Sequence, residues 1–169
     1  MTRKNSKNKK QKHPAESEMA TSAMFPALHS VVCQAVEDSI LMPEFYDTDN
    51  DENVEKLWST HIMGRFRCTN VGCRTATWGS KKVAIRIRRY HGNRYNAVVF
   101  NQYCQSCEEP GTMQIDESTY VERVAYILKK WAGVHMEPPT FSSQRGLPHK
   151  EDFCEGCRRG YCQKASNRA

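Results

Sequence analysis

His149-Lys150-Glu151-Asp152-Phe153-Cys154-Glu155-Gly156-Cys157-Arg158-Arg159-Gly160-Tyr161-Cys162 places an imidazole and three thiols on a short stretch, separated by four, two and four residues. Four soft ligands at such spacing can converge on one tetrahedral cation. Two further pairs lie upstream, Cys68-x4-Cys73 and Cys104-x2-Cys107. A Cys-x2-Cys knuckle holds two thiolates on one tight turn, each about 2.3 Å from a shared Zn(II). Seven of the eight cysteines and one histidine are thereby used, and eight ligands make two zinc sites per chain.

A disulfide framework is the rival use of the same cysteines, and redox compartment separates the two. The start, Met1-Thr2-Arg3-Lys4-Asn5-Ser6-Lys7-Asn8-Lys9-Lys10, is basic and carries no apolar signal core. No stretch approaches the roughly 20 apolar residues of a membrane span. The expectation is residence in the cytoplasm, the nucleus or both, where thiols stay reduced and paired cysteines bind metal.

Composition explains why metal is needed. Of 169 residues only 38% are hydrophobic, and the mean hydropathy is -0.75. Apolar burial alone leaves such a chain close to balance with conformational entropy. A structural zinc site contributes an apparent 10–16 kcal/mol in small peptides, about the whole stability of a domain.

The net charge of +6 hides a segregation along the chain. Residues 1–13 hold six bases and no acid, residues 14–43 four acids and no base, and residues 44–56 six acids against Lys56. Residues 57–169 hold eighteen bases and nine acids, a net +9. The metal-bearing part is basic, and an acidic stretch precedes it.

These shifts divide the chain. Residues 1–22 read as a disordered basic tail, 23–43 as an amphipathic helix, 44–56 as an acidic linker, 57–163 as the zinc-binding domain and 164–169 as a C-terminal tail. In the helix, Phe25, Leu28, Val32, Ala35, Val36 and Ile40 recur at helical spacing until Pro43 stops it. Cys33 within it has no cysteine neighbour and reads as a small core residue. The acidic linker has an alternative, a negatively charged lid over the basic domain.

Within the domain, Ile62, Gly64, Phe66 and Cys68 alternate as a strand that delivers the first ligand. Val83, Ile85 and Ile87 alternate with Ala84, Arg86 and Arg88, His91-Gly92-Asn93-Arg94 supplies a turn, and Tyr95 to Phe100 returns. A last helix is marked by a Thr119/Glu122 capping box, by an apolar stripe of Val121, Val124, Ala125, Leu128 and Trp131, and by Gly133 at its end. The fold class is therefore α+β: a small zinc-stabilised antiparallel sheet built on a hairpin, with flanking helices.

Clustering along the chain groups Cys68, Cys73, Cys104 and Cys107 at one zinc and His149, Cys154, Cys157 and Cys162 at the other. A crossed set, with Cys68 and Cys73 joining Cys154 and Cys157, has the same chemistry. Either way protein fills every coordination position, which points to structural rather than catalytic zinc and to a non-enzyme. His135-Met136-Glu137 upstream of Cys154-Glu155-Gly156-Cys157 matches a zinc-deaminase pattern poorly, because Phe153 stands where that pattern has proline.

Phe66-x-Cys68 with Cys73, Trp78-Gly79-Ser80, Gln102-x-Cys104-x2-Cys107 and His149-x4-Cys154-Glu155-Gly156-Cys157-x2-Gly160-x-Cys162 together resemble the 3CxxC-type zinc finger family. Tyr120 to Val124, Lys130-Trp131 and Gly133 are similar to its fungal branch, which is related to receptor-transporting and zygote-arrest proteins. The resemblance spans roughly residues 60–163 and departs at the first pair, which has four intervening residues instead of two. It implies zinc at the residues named. The family's roles run from RNA binding and translational control to the escort of membrane receptors.

Lys81, Lys82, Arg86, Arg88, Arg89, Tyr90, Arg94 and Tyr95 put bases and rings on the hairpin, a pattern that contacts phosphates and stacks unpaired bases of single-stranded RNA, and that equally fits a solvated sheet face whose tyrosines pack on the core. Arg158, Arg159 and Tyr161 would extend it, while Trp78 and Trp131 read as core. The alternative partner is a protein, recruited by the 25–41 helix or the acidic segment.

Overall fold

The structure, a computed structural model, describes residues 20–140 and 148–162. Most of the expected basic tail, residues 141–147 and the tail from 163 onward lie outside the described residues. The elements are β1 (Ser22–Met24), a 3₁₀ turn (Pro26–Leu28), α1 (His29–Val36), β2 (Glu44–Phe45), β3 (Val54–Cys68) and β4 (Thr77–Tyr90). They continue with β5 (Arg94–Phe100), β6 (Gly111–Ile115), α2 (Glu117–Trp131), a 3₁₀ turn (Glu151–Phe153) and α3 (Glu155–Arg158).

All six strands join one sheet in the order β1-β5-β4-β3-β6, with β2 also on β5. Every pairing is antiparallel except that of β2 with β5. The expected hairpin is its centre: Gly92 and Asn93 take φ of +80° and +56°, the left-handed conformation that closes a tight turn. Asn93 then ties the turn to the segment after α1, donating to the carbonyls of Leu41 and Met42 at 3.3 and 2.9 Å.

The period-2 pattern of β4 decides where the core lies. Val83, Ile85 and Ile87 face α1 and α2 and pack with Ile62, Phe66, Tyr95, Val99, Tyr120, Val124, Ile127 and Leu128. Trp78 stacks on Phe66 at 5.3 Å, and Trp131 packs at the same core's edge. The opposite face is not bare: Ala84, Val98 and Phe100 form a second, smaller core with Met24, Tyr161 and Cys162. Both sides of the hairpin are therefore covered, one by helices and one by the C-terminal cysteine loop.

Several expectations are corrected. The amphipathic helix is shorter than 23–43, because residues 22–24 pair with β5 as β1 and the helix ends at Val36, whose carbonyl accepts from the N–H groups of Ser39 and Ile40 at 2.9 and 3.1 Å. Residues 44–56 are no linker: β2 and the start of β3 are in the sheet, and the acids between them lie on it. The strand expected over 62–68 begins at Val54. Helix α2 starts earlier than its expected capping box, since the Asp116 carboxylate accepts from Thr119 N–H at 2.8 Å. The Thr119 hydroxyl instead accepts from the backbone N–H of Met63 on β3 at 3.1 Å, and Glu122 pairs with Arg123 at 2.6 Å. Gly133 ends the helix as expected, with φ of +82°.

Candidate metal centres

The first centre gathers at the far end of the sheet. β3 ends in Cys68, the loop to β4 carries Cys73, and the turn after β5 carries Cys104 and Cys107. Each loop is shaped by its own backbone: Cys73 N–H donates to Asn70 O at 3.0 Å, and Glu108 N–H to Cys104 O at 2.8 Å. The Thr75 and Ser106 hydroxyls, 2.6 Å apart, join the two loops. Cys68 and Cys107 sulfurs lie 3.5 Å apart, and those of Cys73 and Cys104 3.6 Å.

The second centre is a compact lobe on the opposite face from the helices. His149 Nε2 is 3.2 Å from Cys157 Sγ, and the Cys154 and Cys162 sulfurs are 3.5 Å apart. In both centres all four ligand atoms lie within 4.8 Å of one another. Ligands about 2.3 Å from a tetrahedral zinc stand about 3.8 Å apart, close to these separations, whereas a disulfide needs about 2.05 Å. All eight cysteines are free. The grouping expected from clustering is the one the fold assembles, and the crossed set is not formed.

The donor chemistry fits a dication. Cys104 is held at about 6: burial opposes ionisation, but N–H groups of Cys107 and Ser106 and the Cys73 thiol outweigh it. Cys154 is drawn down to about 4, chiefly by the Cys162 thiol and against burial, with His149 adding to the effect. The same sharing pushes Cys162 far up. Each centre thus ionises one thiol readily, while Cys68 and Cys157 are raised, chiefly by burial, and Cys162 chiefly by its bond to Cys154. A Zn(II) ion stabilises the thiolate forms that burial and thiol sharing oppose. The two centres fit two zinc ions.

The lobe docks through contacts that ligand spacing alone does not reveal. Gly156 touches the sheet so closely that a Cβ there would stand 2.4 Å from Ala84 Cβ and 3.1 Å from Cys162 Sγ. The buried Glu155 carboxylate accepts from Tyr103 O–H at 2.6 Å and Arg159 Nε at 2.7 Å, and Arg159 reaches Thr21 Oγ1 at 2.6 Å. Burial would raise the Glu155 carboxyl, but these hydrogen bonds outweigh it and hold it below its ordinary range. Arg86 lies over the Tyr161 ring at 4.3 Å and Arg158 over Tyr103 at 3.9 Å. His61 of β3 packs edge-on against His149. Burial, then His149 and Lys82, lower its basicity to about 4, so the ring is neutral beside the metal ligands.

The residues expected to form a nucleic-acid face are dispersed in the fold. Tyr90 and Tyr95 are both 1% exposed, and Arg86 and Arg88 are buried at 9% and 4%. Arg88 donates to Asp49 at 2.7 Å and Asp51 at 2.9 Å, and Arg86 pairs with Asp51 at 3.4 Å. Arg89 faces Glu55 at 3.8 Å, and Arg94 stacks on Tyr46. Lys81 and Lys82 alone stay exposed. The signal was in the sequence, in the acids of 44–56 that match these bases, but only the fold pairs them.

An open basic area exists elsewhere. Arg65 and Arg67 of β3 point away from the Phe66 side, flanked in register by Thr77 and Gly79 of β4 and by Thr112 and Gln114 of β6. All six are exposed. Arg74, Lys81 and Lys82 lie at the same end of the sheet, also exposed. Among the described residues none of these five bases has an ion-pair partner.

Comparison with known proteins follows the same residues. Receptor-transporting protein 1 of Mus musculus is 30% identical over 114 residues, 59% of this chain and 42% of that protein. The chain thus spans less than half the length of this relative. No solved structure matches significantly. Residues 61–160 match Zn_ribbon_3CxxC, described as a zinc-binding domain. These residues hold seven of the eight ligands and the docked Gly156, and the chain belongs to the 3CxxC zinc-ribbon family.

Proposed function

We propose that this domain binds RNA without catalysing a reaction, in the cytosol or nucleus, gripping phosphates with the open basic end of its sheet. The observation that carries the reading is the exposed set Arg65, Arg67, Arg74, Lys81 and Lys82 beside the first metal centre, without ion-pair partners among the described residues. Gly79 leaves the middle of this surface flat, with open space where a side chain would stand. Its rings are turned inward, Phe66 and Trp78 stacking on the helix side. Contacts to phosphate therefore dominate over base stacking, and such contacts bind without reading sequence.

The R65E/R67E variant tests this on single-stranded RNA. Loss of two phosphate contacts is expected to reduce the slope of log K against log salt by about 1.4, with zinc content unchanged at two. Absence of RNA retention by the wild type at low salt would sink the proposal. A second reading is a protein-escort role, favoured by the relative's name and by exposed Leu41 and Met42 beside a cavity of about 290 Å³ lined by Ile40, Pro43, Leu128 and Trp131. It is supported instead if a partner protein binds and the Leu41→Asp substitution abolishes that binding while RNA is never retained.

A further inference from the structure

The acids between β2 and β3 cover the arginines that the sequence marks for phosphate. Arg86 and Arg88 are two apart on β4, so they project on one face about 6.7 Å from each other, a step suited to neighbouring phosphates of an extended strand. Asp49 and Asp51 have the same i, i+2 spacing and meet them. The fit is unequal. Arg88 makes two short bonds, whereas Arg86 makes one at 3.4 Å to the Asp51 oxygen left over by Arg88. Arg86 Nε is buried without a hydrogen-bond partner among the described residues.

The cover is shallow compared with what it covers. The Arg86 and Arg88 side chains are 11% and 5% exposed, and Asp51 and Asp49 are 57% and 41% exposed. Between Phe45 and Val54 the chain has no strand or helix, and beyond the bond from Tyr46 N–H to Tyr95 O at 2.8 Å it is held to the sheet by side chains: Asn96 donates to Thr48 O at 2.8 Å and Tyr90 O–H to Asn50 O at 2.5 Å. Tyr46 lies over Tyr90 with ring centroids 4.5 Å apart. Lifting this segment would bare two arginines and an aromatic ring together, the combination that binds single strands.

We infer that Arg86 and Arg88 form a second anion-binding cleft, for two consecutive phosphates of the RNA strand, and that residues 46–53 are its occupant in the free protein. This rests on the RNA-binding function proposed above. The cleft lies on the same face of the sheet as Arg65 and Arg67, since Leu57, Ser59, His61, Met63, Arg65 and Arg67 alternate along β3 and Leu57 and Ser59 pair with Arg88 and Arg86. Between them the C-terminal lobe sits over Ala84 and His61, so the two basic sets flank that lobe on one face. A phosphodiester brings two free oxygens per group, enough to satisfy the Arg86 donor that a shared carboxylate leaves unpaired.

The test compares the full-length wild type with D49N/D51N on single-stranded RNA across a salt series. Neutralising the occupant is expected to tighten binding at low salt and to steepen the salt slope by about 1.4, two contacts at about 0.7 each. Hydrogen exchange of the wild type supplies a readout that needs no substitution: residues 46–53 are expected to exchange faster when RNA is added. Wild-type binding that depends on Arg65 and Arg67, with an unchanged slope in the variant and no faster exchange, overturns the cleft and leaves the RNA function standing. No RNA retention by either protein overturns both. Tighter binding of poly-glutamate by the variant with none for RNA also overturns the cleft as an RNA site.

Discussion

Stripping zinc with a strong chelator at neutral pH is expected to lower the thermal midpoint by at least about 20 °C, or to abolish the transition. The reasoning starts from the thin core: 38% of the chain is hydrophobic, and an ordinary domain has only about 5–15 kcal/mol to lose. Each structural zinc contributes an apparent 10–16 kcal/mol in peptides. At 2–4 °C per kcal/mol for a chain of this size, about 10 kcal/mol is worth at least 20 °C. The location of the metals adds to the effect. The first centre joins the end of β3 to the start of β4 and to the turn after β5, so its loss frees three strand ends at once. The second holds the lobe that covers Ala84, Val98 and Phe100, whose exposure would leave the hairpin with one wet apolar face. Circular dichroism melts with and without chelator, followed by zinc add-back, give the readout; a chelated, metal-free chain melting within a few degrees of the untreated one would contradict it.

The second large effect is expected at Gly156, where one methyl group is enough. An added Cβ would sit 2.4 Å from that of Ala84, a separation that non-bonded carbons do not tolerate, and 3.1 Å from the Cys162 sulfur. Neither neighbour yields easily: Ala84 is on a central strand with 1% exposure, and Cys162 is bound in place by its cluster. Overpacking costs about 1–3 kcal/mol, so Gly156→Ala should weaken zinc at the second centre by about tenfold to a hundredfold and leave the first unchanged. Ala84→Gly in the same chain removes the clashing methyl. The double variant should return to within a few-fold of wild type, because the clash is a property of the pair. Competition with a calibrated chelator measures both. A single variant with wild-type affinity, or a double variant no better than the single, would show that the lobe does not dock as described.

How much of this was legible in the chain follows from whether each feature is local. The cysteine loops, the turn at Gly92 and Asn93 and the stop at Gly133 depend on residues a few positions apart, and they were readable. The capping of α2 was misplaced because two overlapping patterns compete: Asp116 captures Thr119 N–H, and Thr119 then serves Met63 of another strand. The alternation of Ala84, Arg86 and Arg88 against Val83, Ile85 and Ile87 reads as one wet face. It is dry in the fold because residues 46–55 and 148–162, distant along the chain in both directions, close over it. Tyr90 looked like a stacking ring for the same reason, whereas Tyr95 is on the other face and packs into the helix-side core. Tyr103 and Glu155 are 52 positions apart and meet at 2.6 Å, a pairing that no local pattern carries. The face of Arg65 and Arg67 follows from the alternation of Ile62, Gly64, Phe66 and Cys68, but whether that face stays open depends on what packs near it in the fold, which no local pattern carries.

The central claim, that two separate zinc ions held by two sets of four ligands keep this sheet in shape, is tested most directly by counting metal in native mass spectra of the wild type, Cys104→Ser and Cys162→Ser. Two zincs in the wild type are predicted, with one fully retained in each variant at the centre that was not altered. A wild type without zinc, or a single substitution that empties both centres to the same extent, would contradict it.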